Sequence, residues 1–252
     1  DVLEERGAGN AGVAAAATAL CETVAATWAR ERAQRLKDWA VRSLDVEKFP
    51  APVRPGGDGT PAPASQSAVD VCNMWRDALC TLAEFELPFE EPTKHAAELL
   101  SVGCAKACVA YAHGVDAELP DPHSFVPPPP PLSRFKQGLH NTESSHEVAD
   151  ELVDVSLVPT LDSLCARVNS MVFMASQLPA IGMAATACAT RAPLSHVKAA
   201  ADGEIVEGAP PPSSVLSSAP GAEALAEAYE QLRRTRTHVC DVAAYRAAFC
   251  EM

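Results

Sequence analysis

Aromatic side chains make up only 5% of the 252 residues, and short alternating runs of Val, Ile, Tyr, Phe, Trp and Thr are missing. Without such runs no strand is expected, and with so few rings a thick layered core is excluded. Basic residues are also short, 20 against 33 acidic ones, for a formal charge of −13 at pH 7. A phosphate-binding face needs clustered Lys and Arg, so nucleic acid is excluded as a general partner. The one basic cluster, Arg233, Arg234 and Arg236, reads as a solvated helix face, with contact to anionic lipid left open. The richest apolar stretch, Ser170 to Ala189, is interrupted by Gln177, Pro179 and Gly182, so no membrane span is expected.

Catalytic motifs are missing too. There is no glycine-rich phosphate loop, no G-x-S-x-G elbow, no H-E-x-x-H and no pair of C-x-x-C knuckles. Cys104 and Cys108 share a helix face, but zinc would need two further ligands. Glu143 and His146 form a single Glu-x-x-His in a polar linker, where a di-iron bundle uses two such motifs inside helices. His238 and Asp241 stand one turn apart and read as a solvent-side pair or cap rather than an acid–base dyad. The expectation is a non-enzymatic protein with no cofactor, no metal and no small-molecule substrate.

What the chain has is alanine inside an apolar fraction of 48%. Alanine is the best helix former and a poor core filler, which favours long helices in close contact. Helical periodicity marks five segments, about 11–43, 65–86, 90–114, 146–178 and 222–250. The first carries Leu20, Val24, Trp28, Leu36 and Trp39 on one face. The second opens at Ser65, a good N-cap, and carries Ala68, Val71, Cys72, Trp75, Leu79 and Leu82. The third begins with Glu90, Glu91 and Pro92, suited to a first turn, and carries Leu99, Leu100, Ala107, Cys108 and Tyr111. The fourth stripe is Leu161, Leu164, Cys165, Val168, Met171, Val172, Ala175 and Leu178. The last is Leu225, Tyr229, Leu232, Val239, Val242, Tyr245 and Phe249.

Between them lie Pro-, Gly- and Ala-rich insertions at about 50–64, 117–145 and 192–220. One-sided helices need each other to bury their stripes, so the fold class is all-α, an elongated bundle or rod of stacked helix hairpins. Nine cysteines, mostly inside helical patterns, read as reduced apolar fillers of a cytosolic protein. A start at Asp1 without methionine and an end at Met252 directly after an amphipathic pattern are expected of a piece of a longer chain. The run Pro127, Pro128, Pro129, Pro130, Pro131 favours polyproline II. It is a partner-binding candidate for an aromatic groove, set against a stiff spacer between helices, which is the favoured alternative.

Several ordered segments carry a resemblance. Trp28, Glu31 and Arg32 form a W-x-x-E-R opening, followed by Gln66-Ser67-Ala68-Val69, a Leu87-Pro88 helix end and Pro130-Pro131-Leu132-Ser133-Arg134. Then come Arg167 and Asn169 in an R-x-N helix, and His238-Val239-Cys240-Asp241-Val242-Ala243-Ala244-Tyr245-Arg246 with Phe249. In order and spacing this set resembles the plant-type MUN-domain proteins of the PATROL kind, related to the Munc-thirteen vesicle-priming factors. The last segment resembles the start of the first Munc-homology region. The resemblance implies a rod of helical bundles and a membrane-trafficking scaffold that tethers vesicles or delivers membrane proteins to the plasma membrane. It also implies protein partners of the SNARE or exocyst type, and a cytoplasmic location with peripheral contact at the plasma membrane or endosomes. Departures at 50–64, 139–158 and 192–220 point to a divergent, plant or algal member. The alternatives are a generic helical adaptor bound through the proline run, and an enzyme with a cryptic helical site.

Overall fold

The structure, a computed structural model, describes residues 2–50, 64–126, 158–202 and 217–250. Those residues form six α-helices and one 3-10 turn, with no strand among them, so the fold is all-α. The helices are α1 (Val2–Val46), α2 (Gln66–Glu84), α3 (Glu90–Ala117), α4 (Leu161–Ala189), α5 (Leu194–Ala201) and α6 (Ala222–Cys250). The 3-10 turn, Pro122–Phe125, follows α3.

Helix starts follow from local chemistry. Ser65 Oγ accepts the Ala68 N–H at 3.4 Å, and Thr160 Oγ1 accepts that of Ser163 at 3.3 Å, each satisfying a donor that the first helical turn leaves free. Glu90 and Glu91 place their charge at the positive end of α3. The stripe expected on α2 is buried throughout, with Ser67 and Ala78 added to it. Full burial of Leu79 and Leu82 contributes roughly 1.5–3 kcal/mol each.

Cross-helix pairings fix the directions. Glu22 lies 4.0 Å from His95, Ala33 against Gly103 and Leu44 against Gly114, so α1 and α3 run parallel. Gly221 lies against Ser101, and His238 meets Asp116, so α6 is parallel to α3 as well. Ser65 bonds Ser170 and Leu79 meets Cys188, making α2 and α4 parallel to each other. Glu118 bonds Arg167, and Arg191 bonds the Pro88 carbonyl, so α4 opposes α3.

The chain therefore zigzags between two layers. One holds α1, α3 and α6; the other holds α2 and α4, with short α5 packed on both of the latter. Gly103 and Gly114, three turns apart, face α1, while Ser101 and Asp116 lie on the opposite side of α3 and face α6. Stacked helix hairpins of this kind are the layout of α-solenoids. A single apolar core joins all the helices.

The α1–α3 seam is made of small residues. Ala25, Ala29 and Ala40 are buried on α1 together with Leu36 and Leu44, whereas Leu20 and Val24 are 65% and 61% exposed. Of the stripe expected on α1, Leu20 and Val24 are thus turned out, while Leu36 is buried and Trp28 and Trp39 pack half-buried against the core; close approach of the backbones selects alanine and glycine where α1 meets α3. A Cβ on Gly103 would sit 2.2 Å from the Ala33 Cβ.

Three further expectations are corrected. First, α4 does not stop at residue 178; it runs through Pro179 to Ala189, because burial of Ile181, Ala184, Ala185 and Cys188 offsets the roughly 3 kcal/mol that an interior proline costs. By length and composition α4 is consequently able to cross a membrane, as is α1 over Gly12–Val46, although half of the apolar window of α4 is buried in the fold. Second, part of the 192–220 insertion is α5, with Val197, Ala200 and Ala201 buried against α2 and α4. Its C-terminal carbonyl, on Ala201, accepts from Arg76 Nε at 2.9 Å. Third, Cys165 and Val172 on α4 and Tyr229 and Phe249 on α6 are exposed. The face of α6 that is buried in this region comprises Leu225, Ala228, Leu232, Thr235, Val239 and Val242.

An alanine in place of a helical glycine ordinarily gains up to about 1 kcal/mol. Gly103→Ala should reverse that sign and cost roughly 1–3 kcal/mol, since the backbone and Cβ of Ala33 cannot yield. Gly114→Ala, which meets only the far end of Leu44, should cost less, and urea denaturation of the two variants checks the order.

Candidate functional site

Four helices converge on a buried polar knot at the C-terminal end of α3. Ser65 and Ser67 open α2, Ser170 projects from α4, and Tyr111 from α3; all four are buried. The Ser65 N–H donates to Ser170 Oγ at 2.9 Å. The Tyr111 hydroxyl lies 2.7 Å from Ser67 Oγ and 3.0 Å from Ser65 Oγ. Burial pushes the Tyr111 phenol up to about 12, with the bonds to Ser65 and Ser67 acting the other way, so it stays a neutral hydrogen-bonding group.

Glu47, just past α1, accepts the backbone N–H of Ser67 at 3.1 Å and of Phe49 at 3.0 Å. Partial burial works against its charge. The hydroxyl and backbone of Ser67 and the N–H groups of Phe49 and Lys48 outweigh that and hold the carboxyl below its ordinary range. Phe49 itself is buried with a φ of 41°, an uncommon conformation for a bulky residue.

Arg167 is the charged member of this end. Its side chain is 7% exposed, bonds Glu118 at 2.5 Å and Ser163 on its own helix, and lies 4.2 Å over the Phe49 ring. A guanidinium on an apolar helix face requires such partners, because an unpaired buried charge costs several kcal/mol. Asn169 is half-buried beside it.

The segment His238–Phe249 occupies the C-terminal end of α6. His238 Nδ1 donates to Asp116 Oδ1 at 2.6 Å, so its partner is across the seam on α3 and not Asp241 on its own helix. Val242 is buried, Ala243 and Tyr245 are half-buried, and Ala244 is exposed. Tyr245 stacks edge-on with His123 of the 3-10 turn at 5.7 Å, and its ring lies 6.0 Å from that of Phe249 on the same helix. Arg246 donates to the Val158 carbonyl at 3.1 Å, pinning the start of α4 to α6.

Further back along α1, Trp28 stacks edge-on with Phe85 at 4.7 Å, Glu31 pairs with Arg35, and Arg32 lines an open recess of about 510 Å³ with Arg76, Lys198, Glu84 and Asp202. A second recess of about 560 Å³ lies beside the knot, between Trp39, Arg42, Glu47 and Gln66. Arg233 and Arg234 both pair with Glu230, whose carboxyl the Arg233 bond draws down to about 2; with exposed Arg236 they form the solvated face expected of them.

Cys72, Cys104 and Cys108 are buried and near one another, and desolvation lifts each thiol, that of Cys72 to about 12. Among the described residues no group of three or more His, Cys, Asp or Glu converges as a metal site would require. Pro127 to Pro131, Leu132 to Arg134, Glu143 and His146 lie outside the described residues.

Of the segments that carry the resemblance, Ser67 lies in the knot, Arg167 in the ion pair with Glu118, and His238 to Phe249 on α6. The family described as PATROL1-like, TPR repeats, matches residues 21–252, nearly the whole chain. The chain belongs to the PATROL1-like family. No curated protein and no solved structure matches it. In this PATROL1-like chain α3 alone takes 28 residues, long for one helix of a TPR unit of about 34. Helical repeats of the TPR type generally mediate protein–protein contacts.

Arg167 was legible as a motif residue, and a lone charge inside an apolar stripe is itself a signal of a buried ion pair. Its partners Glu118 and Phe49 were not legible, because they come from other helices. The Ser65–Ser67–Ser170–Tyr111 knot was missed for the same reason.

Glu118→Gln should leave the Arg167 charge poorly compensated and cost about 1–2 kcal/mol, less than a fully buried pair because Glu118 is half-exposed. Adding Arg167→Met should recover part of that loss in a double-mutant cycle read by chemical denaturation. Glu47 titrates lower when folded than when unfolded, so its contribution is complete above the ordinary carboxyl range and disappears as pH falls through its folded value. Glu47→Gln should therefore flatten the acid side of the stability profile, measured as the denaturation midpoint from about pH 6 down to pH 3.

Proposed function

We propose that this PATROL1-like chain is a non-enzymatic scaffold of membrane trafficking, acting by protein contacts in vesicle tethering or in delivery of membrane proteins to the plasma membrane. It works in the cytoplasm, in peripheral contact with the plasma membrane or endosomes. The observation that carries the reading is the family match over residues 21–252, joined to the ordered MUN-type segments from Trp28 to Phe249. In this reading His238 to Phe249 begin the first Munc-homology region, and the partners are subunits of the SNARE or exocyst type.

The physical layout supports it. Two layers of helix hairpins present long, continuous surfaces, and stacked hairpins of this kind supply shape and partner surface without needing an active site. Buried polar groups at Arg167, Tyr111 and Ser170 are spent on holding helices together. The recesses are open and of mixed charge, as suits contact with a folded partner.

The test is a pull-down of SNARE and exocyst-type subunits with the 252-residue chain, compared with a variant in which Pro127 to Pro131 become Gly/Ser. Retention of such a subunit by both forms is expected. Loss of every partner from the Gly/Ser variant would favour the adaptor reading, in which the proline run itself is the ligand. Absence of any trafficking subunit from both would sink the proposal.

A further inference from the structure

Two thiols are exposed, one of them, Cys165, on a stripe that helical periodicity places in the core. Cys165 on α4 and Cys240 on α6 are exposed, whereas Cys72, Cys104, Cys108 and Cys188 are buried. The helices that carry the exposed pair are in contact and antiparallel.

Their relative height is set by α3. Glu118 binds Arg167 of α4, and Asp116, two residues earlier on the same helix, binds His238 of α6. Arg167 and His238 therefore sit at one level. Because the helices oppose each other, two residues back from Arg167 and two residues on from His238 are steps in the same direction, and they arrive at Cys165 and Cys240. Two residues are also a little over half a turn. Both thiols are thus carried from the side facing α3 to the outer groove where α4 and α6 meet solvent.

Cys240 is raised above the ordinary thiol range by partial burial first, with Asp241 and Cys165 adding to the shift and Arg236 opposing it. Packed helices with axes roughly 8–10 Å apart bring groove-edge Cα atoms close to the 4.4–6.8 Å span of a disulfide.

We propose that Cys165 and Cys240 are a redox modification site, joined by a reversible disulfide that clips α6 to the α3–α4 hairpin. The oxidant is a hydroperoxide. One thiolate attacks a peroxide oxygen and the O–O bond breaks, giving a sulfenic acid and, after protonation, water. The second thiolate attacks that sulfur; the S–S bond forms, the S–O bond breaks, and hydroxide leaves to become a second water. Two thiols and one hydrogen peroxide thus become one disulfide and two waters, with sulfur oxidised and peroxide oxygen reduced. A dithiol reverses the bond. Its effect is mechanical: the bond adds a covalent tie between α4 and α6 to the His238–Asp116 and Arg246–Val158 contacts that already join this end of the array.

The test treats the reduced 252-residue chain with hydrogen peroxide, alkylates the remaining thiols, and maps peptides without reduction. The expected result is an intramolecular peptide pair joining Cys165 to Cys240, lost with dithiothreitol, and a free-thiol count lower by two. Cys80→Ser should retain the crosslink, and Cys165→Ser should abolish it. Oxidation should raise Tm by about 5–10 °C in the parent chain but not in Cys165→Ser. Quantitative alkylation of both residues after peroxide, sulfinic acid at either without a crosslink, or links only between separate chains would overturn the proposal.

Discussion

A guanidinium taken out of water needs an opposite charge and hydrogen-bond partners, and one end of the helix array is organised around that requirement at Arg167. Glu118 supplies the opposite charge from α3, Ser163 an acceptor from α4, and Phe49 a ring face from the end of α1. Phe49 reaches that position only with a positive φ, steadied by the Glu47 carboxylate on its N–H. The same carboxylate bonds the first turn of α2 through Ser67, and Ser67 meets Tyr111. Four helix ends are therefore set relative to one another by directional bonds, in a protein whose alanine-rich seams would otherwise give little to define register.

How far sequence pattern reaches is clearest in the contrast between α2 and α1. On α2 the large residues and the buried face coincide, because Trp75, Leu79 and Leu82 fill a wide space between helices. On α1 they do not. The seam with α3 is so close that alanine and glycine occupy it, and Leu20 and Val24, which dominate a periodicity argument, are outside. Hydrophobic period measures bulk, and a tight seam selects against bulk. Similarly, Pro179 reads as a stop only if local backbone cost decides, whereas tertiary burial carried α4 another three turns.

The candidate site was legible as a set of motifs and illegible as a set of contacts. Arg167, His238 and Tyr245 could be picked out in order along a chain that belongs to the PATROL1-like family over residues 21–252. That His238 would reach across to Asp116, or Tyr245 to His123, depends on which helices become neighbours. Exposure of Cys165 and Cys240 likewise follows from the packing of α4 and α6 against α3, which no single-helix pattern contains.

Stacked repeats are commonly pictured as links that can loosen one at a time. The position of α3 makes this array different, since it touches α1 on one flank, α6 on the other, and α2 and α4 beneath. Edge helices can fray and re-form while the middle stays intact, yet release of α3 removes a neighbour from four others at once. The assembly should thus behave as a chain of links at its margins and as one all-or-none body at its centre, a combination that lets a long scaffold yield to a partner without coming apart.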